Sequence, residues 1–173
     1  EPDDWWKYLK EAIKGAIAKA GIQGTDIKAI GISYQMHGLV LVDKKMEVLR
    51  PSIIWCDSRA VPYGDRAFKN IGEKQCLSHL LNSPGNFTAS KLAWVKEFEP
   101  ELFRSVHKFM LPGDFIAVRM TGDIVTTVSG LSEGIFWDFK NEQVSEDLMN
   151  YFGFSNDLIP EIRPTFGLRG ELL

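Results

Sequence analysis

The segment from residue 29 to residue 59 constrains the fold more than any other part of the chain. It contains three short apolar runs, and a polar turn follows each of them. Short apolar runs between turn residues are typical of buried strands. We therefore predict strands at Ala29–Ile32, Leu39–Val42 and Ser52–Trp55. Two polar clusters, at 35–37 and 55–59, lie at the ends of these strands, where α/β proteins commonly place ligand-binding groups.

Helices, short strands and turns are predicted for the rest of the chain from periodicity and capping residues. The first helix is amphipathic, with apolar residues at helical spacing from Trp5 to Ile17. Other helices are expected over 62–81 with a break near Gly72, over 88–98 with Thr88 or Ser90 as the cap, over 115–120 and over 145–151. Further strands are expected over 27–32, 108–111, 123–128 and 135–139, and a loop of small residues over 129–134.

Charge and composition argue against several kinds of partner. The 173 residues carry a net charge of −3 and no long basic block, so neither nucleic acid nor an anionic membrane is an expected partner. No apolar run approaches the roughly 20 residues that span a bilayer. The two cysteines make no disulfide framework, and the acidic start has no signal-peptide pattern. These features favour a cytoplasmic protein with free thiols.

Several ordered motifs carry a resemblance to a known family. Tyr34–Gly38 is followed by the segment 49–59, which reads Leu-Arg-Pro-Ser-Ile-Ile-Trp-Cys-Asp-Ser-Arg. The motifs continue through Gly85–Trp94, Met110–Phe115 and Met120–Asp123. In this order the chain resembles the sugar-binding domain of the FGGY carbohydrate kinases, and within that family it is most similar to the xylulokinases.

The resemblance implies a ribonuclease-H-like α/β fold, as in actin-like ATPases. Residues 1–173 would be part of the N-terminal, sugar-binding domain, without its first strands and without the C-terminal nucleotide domain. The implied reaction transfers the γ-phosphoryl group of ATP to a small sugar, with D-xylulose as the best candidate. ATP and Mg²⁺ would be bound mainly by the missing parts, and a homodimer is left open.

Six residues are candidates for binding the sugar. Met36 and His37 match a family pair that lines the sugar pocket, where a thioether packs on carbon and an imidazole bonds a hydroxyl. Trp55 is either a core aromatic or a face on which the sugar packs. Asp57 either contacts the sugar or pairs with a neighbour. The other two candidates are Gln35, in the same turn as His37, and Asn86, whose alternative role is that of a turn residue.

Four further residues have an expected role in the site: Arg59, Lys91, Thr127 and Glu133. We expect Arg59 to pair with Asp57 and Lys91 to be structural. Phosphoryl transfer to a hydroxyl needs a carboxylate base, and Thr127 stands where the resemblance leads us to expect that aspartate. Glu133 is therefore the candidate base, in a loop expected to be flexible.

A second class of function fits the same residues. Without a base, the chain would belong to a non-catalytic sugar-binding or regulatory relative. The pocket residues also leave another pentulose, a hexulose or a polyol open as the substrate. A carboxylate within reach of the sugar hydroxyl would separate a kinase from a binding module.

Overall fold

Strand β1, Val40–Val42, organises the core because both of its faces are buried. The computed structural model describes all residues, 1–173. Leu39 and Leu41 pack into the larger of two apolar clusters, and Val40 and Val42 pack into the smaller one. A strand that is buried on both faces needs a continuous apolar sequence, and 39–42 supplies one.

Eight helices surround the short strands. Helix α1 packs against α6, and α2 packs against both α4 and α8. The helices are α1 Pro2–Ala20, α2 Val61–Ile71, α3 Glu73–His79, α4 Thr88–Phe98, α5 Pro100–Ser105, α6 Pro112–Thr121, α7 Val128–Glu133 and α8 Glu146–Phe152. Short 3₁₀ turns lie at Gly24–Asp26 and Asn156–Leu158.

The strands form three two-stranded pairs. Strand β1 is antiparallel to β2, Lys108–Met110, with Val40 opposite Met110. Single bridges also join Leu39, just before β1, to Ile53 and Val42, the last residue of β1, to Val48. The remaining strands are β3 Val125–Thr127, parallel to β6 Glu161–Arg163, and β4 Trp137–Asp138, antiparallel to β5 Gln143–Val144.

Several predictions of elements are confirmed. Helix α1, strands β1 and β2, and the break between α2 and α3 at Gly72 lie where the sequence placed them. Gly72 has a φ of 107°, which a side chain would strain. Ser145 caps α8 by accepting a hydrogen bond from the N–H of Leu148. Cys56 and Cys76 are both free thiols.

The strand predicted over 27–32 is wrong. This segment is extended, but it is not part of any ladder, and Ile30 is 45% exposed. Residues 28–36 make no main-chain hydrogen bond to another main-chain group. An apolar run becomes a strand only where a neighbouring strand supplies partners, and none lies beside this segment. Likewise, Ser52–Trp55 contributes only the bridge at Ile53.

The loop of small residues predicted over 129–134 is also wrong. Residues 128–133 form α7, and the hydroxyl of Thr127 caps it by accepting a hydrogen bond from the N–H of Gly130. An N-cap of this kind supports a short helix even when its residues have modest helix propensity. Two smaller predictions fail as well, because α6 begins at Pro112 rather than Phe115 and Phe87, not Thr88 or Ser90, is the N-cap of α4.

No helix combines the length and the apolar character that crossing a membrane requires.

Candidate sugar-binding site

Three loops and one helix end meet at the start of α4. We call this set the loop cluster, and it comprises residues 34–38, 55–59, 84–88 and the end of α7 at Glu133. The hydroxyl of Thr88 donates to the carbonyl of Gly38 at 3.3 Å. The N–H of Ala89 donates to the carbonyl of Gly134 at 3.2 Å. The first turn of α4 therefore joins the loop before β1 to the end of α7.

His37 is held in a backbone conformation that L-residues rarely adopt. Its φ is 58°, in the left-handed region. The N–H of His37 donates to Oε1 of Glu133 at 2.7 Å, and its ring Nδ1 lies 2.9 Å from the carbonyl oxygen of Glu133. The ring also makes an edge contact with Phe87, with centroids 4.3 Å apart. A strained residue persists only where its surroundings fix it, and these contacts fix His37.

Lys91 supports the same residue from inside the protein. Its side chain is completely buried, and Nζ donates to the carbonyl of His37 at 2.6 Å. Burial lowers the pKa of Lys91 to about 8, although the negative charge of Asp57 opposes that shift. Lys91 therefore has a structural role, as expected: its ammonium group holds the turn that carries His37.

Tyr34 lies against the Glu133 carboxylate. Burial raises the pKa of the Tyr34 phenol, and the negative charge of Glu133 raises it further. The ring packs so closely on Gly113 that a Cβ there would come within 2.2 Å of it. Glu133 therefore lies between the phenol of Tyr34 and the N–H of His37, at the end of an ordered helix rather than in a flexible loop.

The turn that carries Trp55 is held mainly by local contacts. Asp57 and Arg59 form an ion pair at 2.7 Å, as expected, and hydrogen bonding to Arg59 lowers the pKa of Asp57. The Arg59 guanidinium lies over the ring of Trp94, 4.6 Å from its centroid. Trp55 itself is 59% exposed, so the alternative that it is a core aromatic is wrong.

Asn86 connects this turn to the loop before α4. Its Nδ2 donates to the carbonyl of Asp57 at 2.8 Å and, less closely, to that of Trp55 at 3.3 Å. Its Oδ1 is buried and has no hydrogen-bond partner. A buried acceptor without a partner is unfavourable, so the amide tethers the turn and still has an oxygen to satisfy.

Gln35 and Met36 differ in their surroundings. Met36 is 58% exposed beside His37. Gln35, together with Trp5 and Tyr34, lines a depression of about 240 Å³ between α1, the extended segment and α6. The depression is mostly apolar, so the Gln35 amide is one of its few polar groups.

A buried acid that the sequence analysis missed lies next to this region. Asp114 is 2% exposed, pairs with Arg169 and accepts a hydrogen bond from the hydroxyl of Thr126 at 2.8 Å. Burial raises the pKa of Asp114, and Arg169 opposes that shift. The sequence signal for Asp114 was its place directly after Pro112-Gly113, at the start of α6. Its partner Arg169 lies 55 residues away and gave no such signal.

Phe87 and Tyr34 were missed for a similar reason. Each stands next to a predicted site residue in the sequence, Phe87 after Asn86 and Tyr34 before Gln35. Their roles arise from packing against His37 and Glu133, which sequence spacing does not show. Nowhere in the protein do three or more histidine, cysteine or carboxylate side chains come close enough together to hold a metal ion.

The fold is that of sugar kinases. The crystal structure of a xyloylose kinase from Brucella ovis matches with a TM-score of 0.91 and 28% identity, covering 100% of this chain and 36% of that one. A glycerol kinase from Plasmodium falciparum, solved with ADP, matches with a TM-score of 0.85 at 19% identity over 100% of this chain and 36% of its own, which shows the fold alone. The predicted ribonuclease-H-like fold class is thereby confirmed.

The chain belongs to the FGGY family of carbohydrate kinases, because the model of that family's N-terminal domain matches residues 1–173. It is similar to the xylulose kinase of Bacillus subtilis (strain 168), with 37% identity over 177 residues, covering 99% of this chain and 34% of the relative. The xylulose kinase of Escherichia coli (strain K12) is 33% identical over 173 residues, covering 100% and 35%. The chain thus spans about a third of the length of these relatives.

Proposed function

We propose that this chain is the sugar-binding part of an ATP-dependent carbohydrate kinase, and that the full-length protein phosphorylates a ketose. D-xylulose, phosphorylated at its 5-hydroxyl, is the proposed substrate. Family membership supports the kinase class, and the names of the similar relatives support the choice of sugar. The observation that carries the proposal is the loop cluster, where the imidazole of His37 and the exposed ring of Trp55 flank the start of α4.

In the proposal, residues 1–173 contribute to the reaction mainly by positioning the sugar. Phosphoryl transfer depends on holding the acceptor hydroxyl in line with the phosphate, so a rigid sugar cradle contributes directly to the rate. His37 and Asn86 would bond hydroxyl groups, and Met36 and Trp55 would pack on carbon. Gln35, Asp57 and the two aromatic neighbours Tyr34 and Phe87 would shape the surroundings of the sugar.

ATP and Mg²⁺ are assigned to no residue of this chain. The chain offers no cluster of side chains suited to a metal ion. In the proposal, other segments of the full-length protein bind the nucleotide and its metal and supply the charge stabilisation that phosphoryl transfer needs. In the same proposal, residues 1–173 are part of the sugar-binding domain, and another part of the full-length protein is the nucleotide domain.

A kinase assay on the full-length protein tests the proposal. We expect ATP-dependent phosphorylation with the highest kcat/KM for D-xylulose, compared with D-ribulose, D-fructose, glycerol and gluconate. The 173-residue chain alone is the control and should show no turnover. Failure of the full-length protein to phosphorylate any of these compounds, with sugar binding retained, would establish the competing function of a non-catalytic binding module.

Glu133 is the proposed general base for the phosphorylation of the sugar. Its carboxylate accepts the N–H of His37 and lies beside the phenol of Tyr34. A carboxylate has about four acceptor positions, so Glu133 keeps the capacity to accept a hydrogen bond from a sugar hydroxyl. The competing role is that of a clamp, in which Glu133 only holds His37 and the base comes from another segment of the full-length protein.

The Glu133→Gln variant of the full-length protein separates these two roles. Gln keeps an oxygen that can accept the N–H of His37, but it cannot take a proton. Loss of a general base typically lowers the rate by about 10²- to 10⁴-fold, so we expect kcat to fall by that order while sugar affinity is retained. A near-normal kcat would leave Glu133 as a clamp and would remove it from the chemistry.

A further inference from the structure

The last carbonyl group of α7 needs a donor that the helix itself cannot supply. The final four carbonyls of any helix lack intrahelical partners unless the following residues turn back. In α7 the carbonyls before Glu133 accept the N–H groups of Gly134, Ile135 and Phe136. The carbonyl of Glu133 accepts none of these, and its partner is Nδ1 of His37 at 2.9 Å.

This contact decides which ring nitrogen of His37 carries the hydrogen. A carbonyl oxygen can only accept, so a hydrogen bond requires that Nδ1 be protonated. In the neutral imidazole, Nε2 then carries the lone pair and acts as an acceptor. Turning the ring over by 180° would place a carbon atom against the Glu133 carbonyl and lose the bond, so the observed orientation is the favoured one.

Four further contacts hold His37 in place: three of them fix the main chain that carries the ring, and one packs on the ring itself. Oε1 of Glu133 accepts the main-chain N–H of His37, and the buried ammonium of Lys91 donates to its carbonyl. Phe87 packs on the ring at a centroid distance of 4.3 Å. Thr88 holds the carbonyl of the next residue, Gly38. Nε2 makes no hydrogen bond within the protein, so it is the ring atom available to a ligand.

We infer that the main-chain carbonyl of Glu133 fixes His37 as the Nδ1–H tautomer, so that Nε2 accepts a hydrogen bond from a hydroxyl group of the sugar. This inference rests on the proposed function. It also restricts how the sugar lies. A neutral Nε2 without hydrogen cannot donate to the carbonyl oxygen of an open-chain ketose, so His37 reads a hydroxyl and the ketose carbonyl must face another group.

Long-range ¹H–¹⁵N correlation spectra of the ¹⁵N-labelled full-length protein test the tautomer directly. The coupling pattern of a histidine ring distinguishes the neutral Nδ1–H form, the neutral Nε2–H form and the imidazolium. With His37→Asn as the assignment control, we expect the Nδ1–H pattern for His37 at pH 8. An Nε2–H pattern or an imidazolium pattern at that pH would overturn the inference.

The His37→Asn variant of the full-length protein tests the role of Nε2. Asn tolerates positive φ, and its amide can donate to the Glu133 carbonyl as Nδ1–H does, but nothing replaces Nε2. We expect the Kd for D-xylulose, measured by calorimetry, to rise about 5- to 150-fold. His37→Gln is the matched variant, since its longer side chain places an amide near the Nε2 position and should restore part of the affinity.

The outcomes separate this inference from the proposed function. If wild-type protein binds D-xylulose and His37→Asn binds it equally well, the inference is overturned while the proposed function stands. If wild-type protein binds and phosphorylates none of the sugars, the proposed function fails, and the acceptor role of Nε2 fails with it. In that case the tautomer spectrum still reports whether the Glu133 carbonyl fixes the ring.

Discussion

The loop that carries His37 and the turn that carries Trp55 are held in different ways. His37 is fixed by residues that lie 54 and 96 positions away in the chain, Lys91 and Glu133. The Trp55 turn is fixed mainly by the ion pair of Asp57 with Arg59, two positions apart. The first depends on tertiary contacts alone, whereas the second combines this local ion pair with two tertiary contacts, from Asn86 to the Asp57 carbonyl and from Arg59 to the ring of Trp94.

This difference suits two different tasks. A hydrogen bond to a sugar hydroxyl has a narrow geometry, so the imidazole of His37 needs a rigid support. Packing of a ring on carbon atoms is less directional, so the exposed ring of Trp55 tolerates a looser support. We therefore expect His37 to decide which hydroxyl is bound, and Trp55 to add affinity with less selectivity.

The largest effect is expected from the titration of Lys91, which supports His37. Its pKa is lowered from 10.5 in the unfolded chain to about 8 in the folded protein. Between these values the unfolded chain binds a proton that the folded protein does not bind, so the free energy of unfolding should rise as pH rises from 8 to 10.5. The contribution is on the order of 3 kcal/mol, at 1.36 kcal/mol per pKa unit.

Urea denaturation of wild type and Lys91→Met at pH 8 and pH 10.5 measures this contribution. Met has a similar length and does not titrate, so the variant should lack the increase that Lys91 gives the wild type. Lys96→Met is the matched control, because Lys96 also lies on α4 but bonds the carbonyls of Phe152 and Gly153 near the surface. If the free energies of unfolding of wild type and Lys91→Met change in parallel between the two pH values, burial does not lower the pKa of Lys91 as assigned.

The next largest effect is expected for His37→Ala in the full-length protein. Removing a hydrogen bond to a buried partner typically costs about 1–3 kcal/mol, so kcat/KM for the sugar should fall about 5- to 150-fold. The KM for ATP should hardly change. His107→Ala, at a histidine just before β2, is the control and should leave both values unchanged. A variant that loses ATP affinity and thermal stability while keeping sugar affinity would make His37 a core residue.

The smallest effect is expected for Trp55→Ala. Because the side chain is 59% exposed, its loss should change the free energy of unfolding by no more than about 0.5 kcal/mol. The KM for the sugar should rise about 2- to 10-fold, the size of an aromatic packing contribution of about 0.5–1.5 kcal/mol. Phe166→Ala, at a fully exposed aromatic, should change neither quantity. An unchanged KM for Trp55→Ala would remove the ring from the sugar site.

The sequence predicted the parts of the fold that depend on local pattern. The apolar run at 39–42 became β1, and the capping serine Ser145 began α8. The failures lie where partners outside the segment decide the structure. The run at 27–32 has strand composition but no neighbouring strand, and the small residues at 129–133 became helical because Thr127 caps them.

The candidate site shows the same division. The pairing of Asp57 with Arg59 followed from their spacing and is observed. The contact of Glu133 with His37 could not be derived from spacing, because 96 residues separate them, and neither could the role of Lys91. Whether His37, Asn86 and Glu133 act on a sugar stays a prediction, as does the choice of D-xylulose.

Amide hydrogen exchange in the 173-residue chain tests most directly the claim that the His37 loop is held by tertiary contacts and the Trp55 turn mainly by local ones. The amide of His37 donates to Glu133 and the amide of Arg59 donates to Asp57. We predict that the His37 amide exchanges only by global or near-global unfolding, with a steep dependence on denaturant, and that the Arg59 amide exchanges by local opening with little dependence. Equal protection and equal denaturant dependence at the two amides would contradict the account.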